Sequence, residues 1–166
     1  MSSSDNHVRM KVKGLMMDPS SSVPIVILRN EENSRFLPIW IGIFEANAIA
    51  LRLEGIEPPR PMTHDLMMGL LSQLETKVIR VVISALKDNT FFAQIIVRSA
   101  GNHESVVDSR PSDAIALALR AEAPIYVAEE VLARASAEDR ADLRDEEKLK
   151  KWLEELDPEE MGKYTM

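Results

Sequence analysis

Asp108-Ser109-Arg110-Pro111-Ser112-Asp113, with the apolar run Ala114–Ala121 that follows, decides how this chain is read. Two acids, two hydroxyls and one arginine fall within six residues, between a short polar strand (103–107) and a helix that is apolar nearly all round. A helix of that kind is normally buried, so the polar cluster stands at the mouth of the core. A helix start also carries free N–H groups and a partial positive charge, which suit an anion or a cation-binding carboxylate. A shorter echo lies upstream, where Arg60-Pro61-Met62-Thr63-His64-Asp65 again sets Arg-Pro and a hydroxyl before a helix. These two segments are the candidate functional residues.

Outward from them the chain alternates strands and helices. Val8, Met10 and Val12 alternate with Arg9, Lys11 and Lys13, the period of a half-buried strand. The run 23–28 is apolar throughout and 36–41 returns as a third strand, with Pro38 marking an edge or a bulge. The first third therefore predicts a three-stranded meander. Residues 42–54 predict a helix with Phe44, Ala48 and Leu51 on one side, Glu45 and Arg52 sharing another, and Gly55 as its stop. Thr63 is a natural N-cap for the next helix, whose Leu66, Met67, Leu70, Leu71 and Leu74 form an amphipathic stripe. Strands at 78–86 and 91–99 meet across Asp88-Asn89, a tight-hairpin pair, and Gly101-Asn102 suggests a second hairpin. After the buried helix, Pro124 breaks the chain, 125–127 makes a last strand and 129–135 a small helix. The expected class is α+β, a mostly antiparallel (mixed) sheet with helices packed on it. Residues 1–7 read as a disordered start, 8–136 as the domain and 137–166 as an acidic helical extension. Leu143, Leu149, Trp152, Leu153 and Leu156 predict an amphipathic helix over 138–156, docked on the body or on a partner protein.

Composition removes several functions. The chain of 166 residues is long enough for one domain with a core, and 45% apolar with 28% charged residues is ordinary for a globular protein. No cysteine is present, so disulfides and thiolate chemistry are excluded. The polar start lacks the apolar core of a signal peptide, and no run approaches the roughly 20 residues of a membrane span. A cytoplasmic location without membrane contact is the expectation. The net charge is −7, and residues 138–166 hold 11 acids against 6 bases. That is not the profile of a duplex-binding module, so any nucleic-acid role must rest on a local site, a metal ion or an oligomer that gathers arginines. There is no Gly-rich phosphate loop, zinc-type His-Glu-x-x-His or Gly-x-Ser-x-Gly elbow.

Each candidate residue carries two readings. Asp108 and Asp113 can converge across the strand-to-helix turn and hold Mg²⁺ (or Mn²⁺), which keeps several waters and stabilises charge on a transferring phosphoryl group. Alternatively Ser109 or Ser112 caps the helix and Asp113 complements its dipole. Arg60 and Arg110 can clamp phosphate, or fix a loop by pairing with Asp108, Asp113 or Glu45. His64 can serve as a general base or metal ligand, or simply cover the helix end beside Asp65. Glu45 can add a carboxylate, or pair with Arg52.

Three segments, in order, resemble one family. Phe36-Leu-Pro-Ile-Trp-Ile-Gly-Ile-Phe-Glu-Ala-Asn-Ala-Ile49, Arg60-Pro-Met-Thr-His-Asp-Leu66 and Asp108-Ser-Arg-Pro-Ser-Asp-Ala-Ile115 are similar to the "LPIWIG…EA.AI", "RP.THDL" and "SRPSDAI" segments of the bifunctional nuclease family. The resemblance runs from about Val8 to about Ala135. It implies a small α+β domain that forms homo-oligomers and a nuclease activity on DNA and RNA. The residues it carries over are Glu45, Arg60, Thr63, His64, Asp65, Asp108, Ser109, Arg110, Ser112 and Asp113. The expectation is a metal-assisted phosphodiesterase: Asp108 and Asp113 on a divalent ion, Glu45 or Asp65 helping, and His64 as base or ligand. Arg60 and Arg110 hold the phosphate, with Thr63, Ser109 and Ser112 beside them. The rival is a non-catalytic regulatory or scaffold module that binds an anionic ligand or a partner protein.

Overall fold

A computed structural model describes residues 6–139. The expected helix over 138–156 lies outside the described residues except for its first two positions. Strands β1 (His7–Met17), β2 (Pro24–Asn30) and β3 (Phe36–Trp40) form the first meander. Helices α1 (Ile43–Leu53) and α2 (Thr63–Gln73) follow. Strands β4 (Lys77–Lys87), β5 (Thr90–Arg98) and β6 (Glu104–Ser109) form a second meander, then come α3 (Pro111–Ala121), β7 (Ile125–Ala128) and α4 (Glu129–Asp139).

All seven strands join one sheet in the order β3-β2-β1-β7-β4-β5-β6. The four-residue β7 splices the two meanders, antiparallel to β1 and parallel to β4. The sheet is thus mixed, as expected, with a single parallel step made by the α3 crossover. Local chemistry sets the rest. Pro38 lies on β3, an edge strand, where a missing N–H costs no ladder bond. Asp88 and Asn89 both have positive φ (50° and 58°), the backbone that a two-residue hairpin of right-handed twist demands. Gly55 follows α1 with φ 67°, the left-handed stop.

One core holds the fold. Val26, Leu28, Ile39, Val81, Ile83, Ala93 and Ile95 supply its sheet side. Helix α3 lies against them, and its Ala114, Ile115, Ala116, Leu117 and Ala118 are at most 4% exposed. Ala46 and Ile49 of α1 and Val131 and Leu132 of α4 close the same cluster. Met16, Ile25 and Ile27 form a small second cluster with Phe36 on the other face of the sheet. His7, assigned by sequence to a disordered start, pairs with Ala128 as the first residue of β1.

Two helices depart from their predicted faces. Phe44 is 81% exposed, and of the expected side α1 buries only Ala48, together with Ala46 and Ile49. In α2 only Met68 and Leu71 pack on the core, while Leu66, Met67, Leu70 and Leu74 are exposed. The stripe exists, but α2 stands off the sheet and leaves an apolar cleft of about 660 Å³ between itself and β5–β6. Among the described residues no helix is long and apolar enough to cross a membrane.

Candidate active site

The two polar segments meet at the start of α3. The helix begins earlier than the apolar run implies, at Pro111, whose fixed φ suits the first helical position. Arg110 is the N-cap residue and makes no side-chain cap. The serines therefore do not cap: Ser109 Oγ donates to the Arg110 carbonyl (2.8 Å), and Ser112 is buried in the first turn. Asp113 falls at the third helical position, where it faces α2.

There it meets His64. Nε2 of His64 lies 2.9 Å from Asp113 Oδ1, across 49 residues of sequence. Arg110 Nε donates to the other oxygen, Oδ2, at 2.9 Å, and Arg110 Nη2 pairs with Glu45 Oε1 at 2.9 Å. A chain Glu45–Arg110–Asp113–His64 results, with His64 only 7% exposed. Glu45 thus serves Arg110 and not Arg52, whose Nε reaches the Leu119 carbonyl instead. Burial alone would raise the Asp113 carboxyl, but hydrogen bonds from His64 and Arg110 outweigh it and hold it below the usual carboxylate range. An ionised Asp113 can only accept, so Nε2 of His64 is the N–H donor and neutral His64 keeps its lone pair on Nδ1. Asp113 and then Glu45 raise the Arg110 guanidinium further, so it is charged throughout.

A second link fixes α2 to α3. Arg120, with a side chain 8% exposed, donates from Nε to Asp65 Oδ1 (2.8 Å), from Nη1 to the Ala116 carbonyl (3.0 Å) and from Nη2 to the Ala48 carbonyl (3.1 Å). Asp65 Oδ2 accepts from the Met62 N–H at 3.0 Å, the reciprocal half of a capping box. Met62, not Thr63, is therefore the N-cap residue of α2; Thr63 is exposed at the first helical position. Burial would raise the Asp65 carboxyl, but Arg120 and the Met62 N–H hold it low. Arg120 lies outside both segments that the sequence singles out. Its position in the last turn of an all-apolar helix was the signal that it would be buried and need a carboxylate.

The remaining predicted residues sit apart. Asp108 is exposed on β6, at the rim of the apolar cleft that Ser109, Arg110 and Asp113 also border. Its register opposite Gln94 assigns it to the sheet face away from Ser109. Arg60 is exposed and makes no ion pair among the described residues, and it borders neither the apolar cleft nor the small one beside Arg120.

The donor set does not fit a resident divalent ion. Both oxygens of Asp113 and both of Asp65 are engaged by His64, arginine or backbone N–H groups, and Glu45 is bound to Arg110. Among the described residues no three His, Asp or Glu side chains converge as a ligand set. A hard cation would have to displace an arginine from its carboxylate first.

Known proteins are similar to this chain in sequence. Residues 26–140 match the bifunctional nuclease domain. An uncharacterized protein of Mycobacterium tuberculosis is 39% identical over 161 residues, covering 91% of this chain and 96% of that protein. Bifunctional nuclease 2 of Oryza sativa subsp. japonica is 27% identical over 69% of this chain, and bifunctional nuclease 1 of Arabidopsis thaliana 26% identical over 63%. The chain spans about a third of the length of these two plant relatives, 36% and 33%.

Proposed function

The chain belongs to the bifunctional nuclease domain family, and on that premise we propose that it hydrolyses phosphodiester bonds of DNA and RNA with His64 as general base. One observation carries the reading: a nearly buried histidine is oriented by an ionised aspartate, and the same aspartate holds a charged arginine at the rim of a cleft. In this scheme water loses its proton to Nδ1 of His64 as its oxygen attacks phosphorus. Asp113 holds the ring in the productive tautomer and stabilises the imidazolium that forms. Arg110 commits Nε and Nη2 to acids and keeps Nη1 for the phosphoryl oxygens, whose negative charge grows in the transition state. As the ester P–O bond breaks, the leaving oxygen takes a proton from the imidazolium or from solvent. Attack by water, not by a 2′-hydroxyl, is what allows one site to act on both DNA and RNA. Glu45 and Arg120 are positioning residues, one for Arg110 and the other for the α2 start that carries His64. The carboxylates do not fit a resident ion, and the steps rest on water, His64, Asp113 and Arg110.

The rival reading is a non-catalytic module that binds an anionic ligand or a partner protein. The closed Glu45–Arg110–Asp113–His64 chain favours it, since each charge already has an opposite. The test is cutting of single- and double-stranded DNA and RNA by rigorously purified protein, in Mg²⁺, Mn²⁺ or EDTA, beside His64→Gln. A loss of about 10²–10⁴-fold in the variant supports the base role. Cutting by His64→Gln at the wild-type rate overturns it, and no cutting by either protein under any condition leaves the binding module.

A further inference from the structure

The pairing register sorts the sheet's side chains into two sets. One set lies in the core with all four helices. On the other face, where no described helix packs, stand Arg9 and Lys11 of β1, Arg29 of β2, Arg80 and Lys87 of β4 and Arg98 of β5. The only acids that the strands place there are Glu104 and Asp108, both on the edge strand β6. So a protein of net charge −7 sets these six of its 20 Lys and Arg side chains on one sheet face, where Arg98 is paired with Glu104. The placement is unfavourable for folding. Lys11 and Arg29 are directly opposite on an antiparallel ladder, where like charges repel. Aromatic rings are interleaved with the cations. Trp40 is 51% and Phe92 40% exposed, and Tyr126 lies directly across from Arg9. Trp40 is steadied by its N–H, which donates to Asp18 in the adjoining loop (3.0 Å), and the Lys87 ammonium stands 5.9 Å over the Phe92 ring.

We propose that this helix-free face of the sheet is a binding track for single-stranded nucleic acid, separate from the residues that cut. Phosphates lie along the Arg9, Lys11, Arg29 and Arg80 rows, which relieves the like-charge repulsion. Unpaired bases stack on Phe92 and Trp40, as a sheet platform allows and a duplex, with its bases turned inward, does not. The identity of the polyanion rests on the nuclease reading. The track itself does not, because binding requires no turnover.

The experiment is fluorescence anisotropy with the full chain, labelled phosphorothioate oligothymidylate that resists cutting, and EDTA throughout. Four phosphate contacts to a single strand predict a loss of affinity of about 50-fold between 50 and 200 mM salt. The triple variant Arg9→Gln/Lys11→Gln/Arg80→Gln lowers the log–log salt slope by about 2. Lys87→Gln/Phe92→Ala, at two exposed positions, weakens single-strand binding roughly tenfold and duplex binding far less. Arg52→Gln/Arg134→Gln, on helices α1 and α4, leaves binding unchanged. The proposal is overturned if the full chain does not bind, or if the slope survives the triple variant. It is also overturned if the Arg52/Arg134 variant is the one that loses binding. Equal affinity for polyglutamate would show a face that reads charge alone and suits an acidic protein segment, and would overturn it too. Binding here together with no cutting of unmodified DNA or RNA in the nuclease assay would reject the catalytic reading and leave the track standing.

Discussion

Replacing Asp113 with asparagine keeps the shape of the side chain and removes its charge. The carboxylate accepts two hydrogen bonds at 2.9 Å, from His64 and from Arg110, and its side chain is 23% exposed. Hydrogen bonds to a charged group contribute about 1.5–3 kcal/mol each, and partial exposure together with the bonds an amide still makes reduces the sum to about 2–3 kcal/mol. For a chain of this size that lowers the Tm by about 4–12 °C at neutral pH. The pH dependence carries a sign. The folded carboxyl lies below its ordinary value of 3.8, so its stabilisation is complete well above that value. It fades as pH falls through the lower, folded value. The Tm difference between wild type and Asp113→Asn should therefore be full at pH 7 and shrink steadily below pH 4. Asp65, Glu104 and Glu129 are also held low, but they titrate alike in both proteins and cancel from the difference. Thermal unfolding followed by circular dichroism from pH 7 to pH 2 is the assay. A gap below about 1 kcal/mol at pH 7, or one that stays constant into acid, refutes the pairing of Asp113 with His64 and Arg110.

Three further perturbations follow from the same network. Arg120→Met leaves Asp65 without its cation and two carbonyls without their donor in a nearly buried place; unfolding should show a loss of about 3–5 kcal/mol. At Gly42 a Cβ would collide with the Glu45 carboxylate, the movable end of a flexible side chain. Gly42→Ala should therefore cost less than about 1 kcal/mol of stability yet free Arg110 from Glu45, and nuclease kinetics should separate the two effects. The saturated carboxylates predict that millimolar Mg²⁺ moves the Tm by no more than about 1 °C, as expected for a fold without a tight cation site; a larger rise, abolished by Asp108→Asn, would restore the ion to Asp108 and Asp113.

Much of the fold was legible because its signals are local. The period-two alternation of β1, the Asp88-Asn89 turn, Pro38 and the all-apolar run of α3 each report on their own few residues, and each appears where the sequence puts it. Packing partners are not local. The apolar stripe of α2 states that a face wants covering, but not that α2 stands off and leaves Leu70 and Leu74 in solvent. The site divides the same way. The two Arg-Pro segments announced themselves by composition, yet the bond from His64 to Asp113 joins residues 49 apart and could not be read from spacing. Glu45 was as well matched on paper to Arg52, seven residues on, as to Arg110. The crossover of α3 decides between them, because it brings Arg110 across the start of α1 and turns Arg52 to the Leu119 carbonyl.

The same limit bears on charge. A net −7 argues against a nucleic-acid role only if charges are mixed evenly over the surface. In a sheet they are not, because alternate residues of a strand go to opposite faces and neighbouring strands in register add like to like. Arg9 and Lys11, two apart on β1, share a face, and the ladder sets Arg29 opposite Lys11 on that same face. On the helical side the three acids of the site are paired, Glu45 and Asp113 with Arg110 and Asp65 with Arg120. The potential that a polyanion meets is set by these partitions and not by the total. An acidic chain with a basic sheet face can therefore still draw a nucleic-acid strand to that face, so that net charge alone does not exclude a nucleic-acid role.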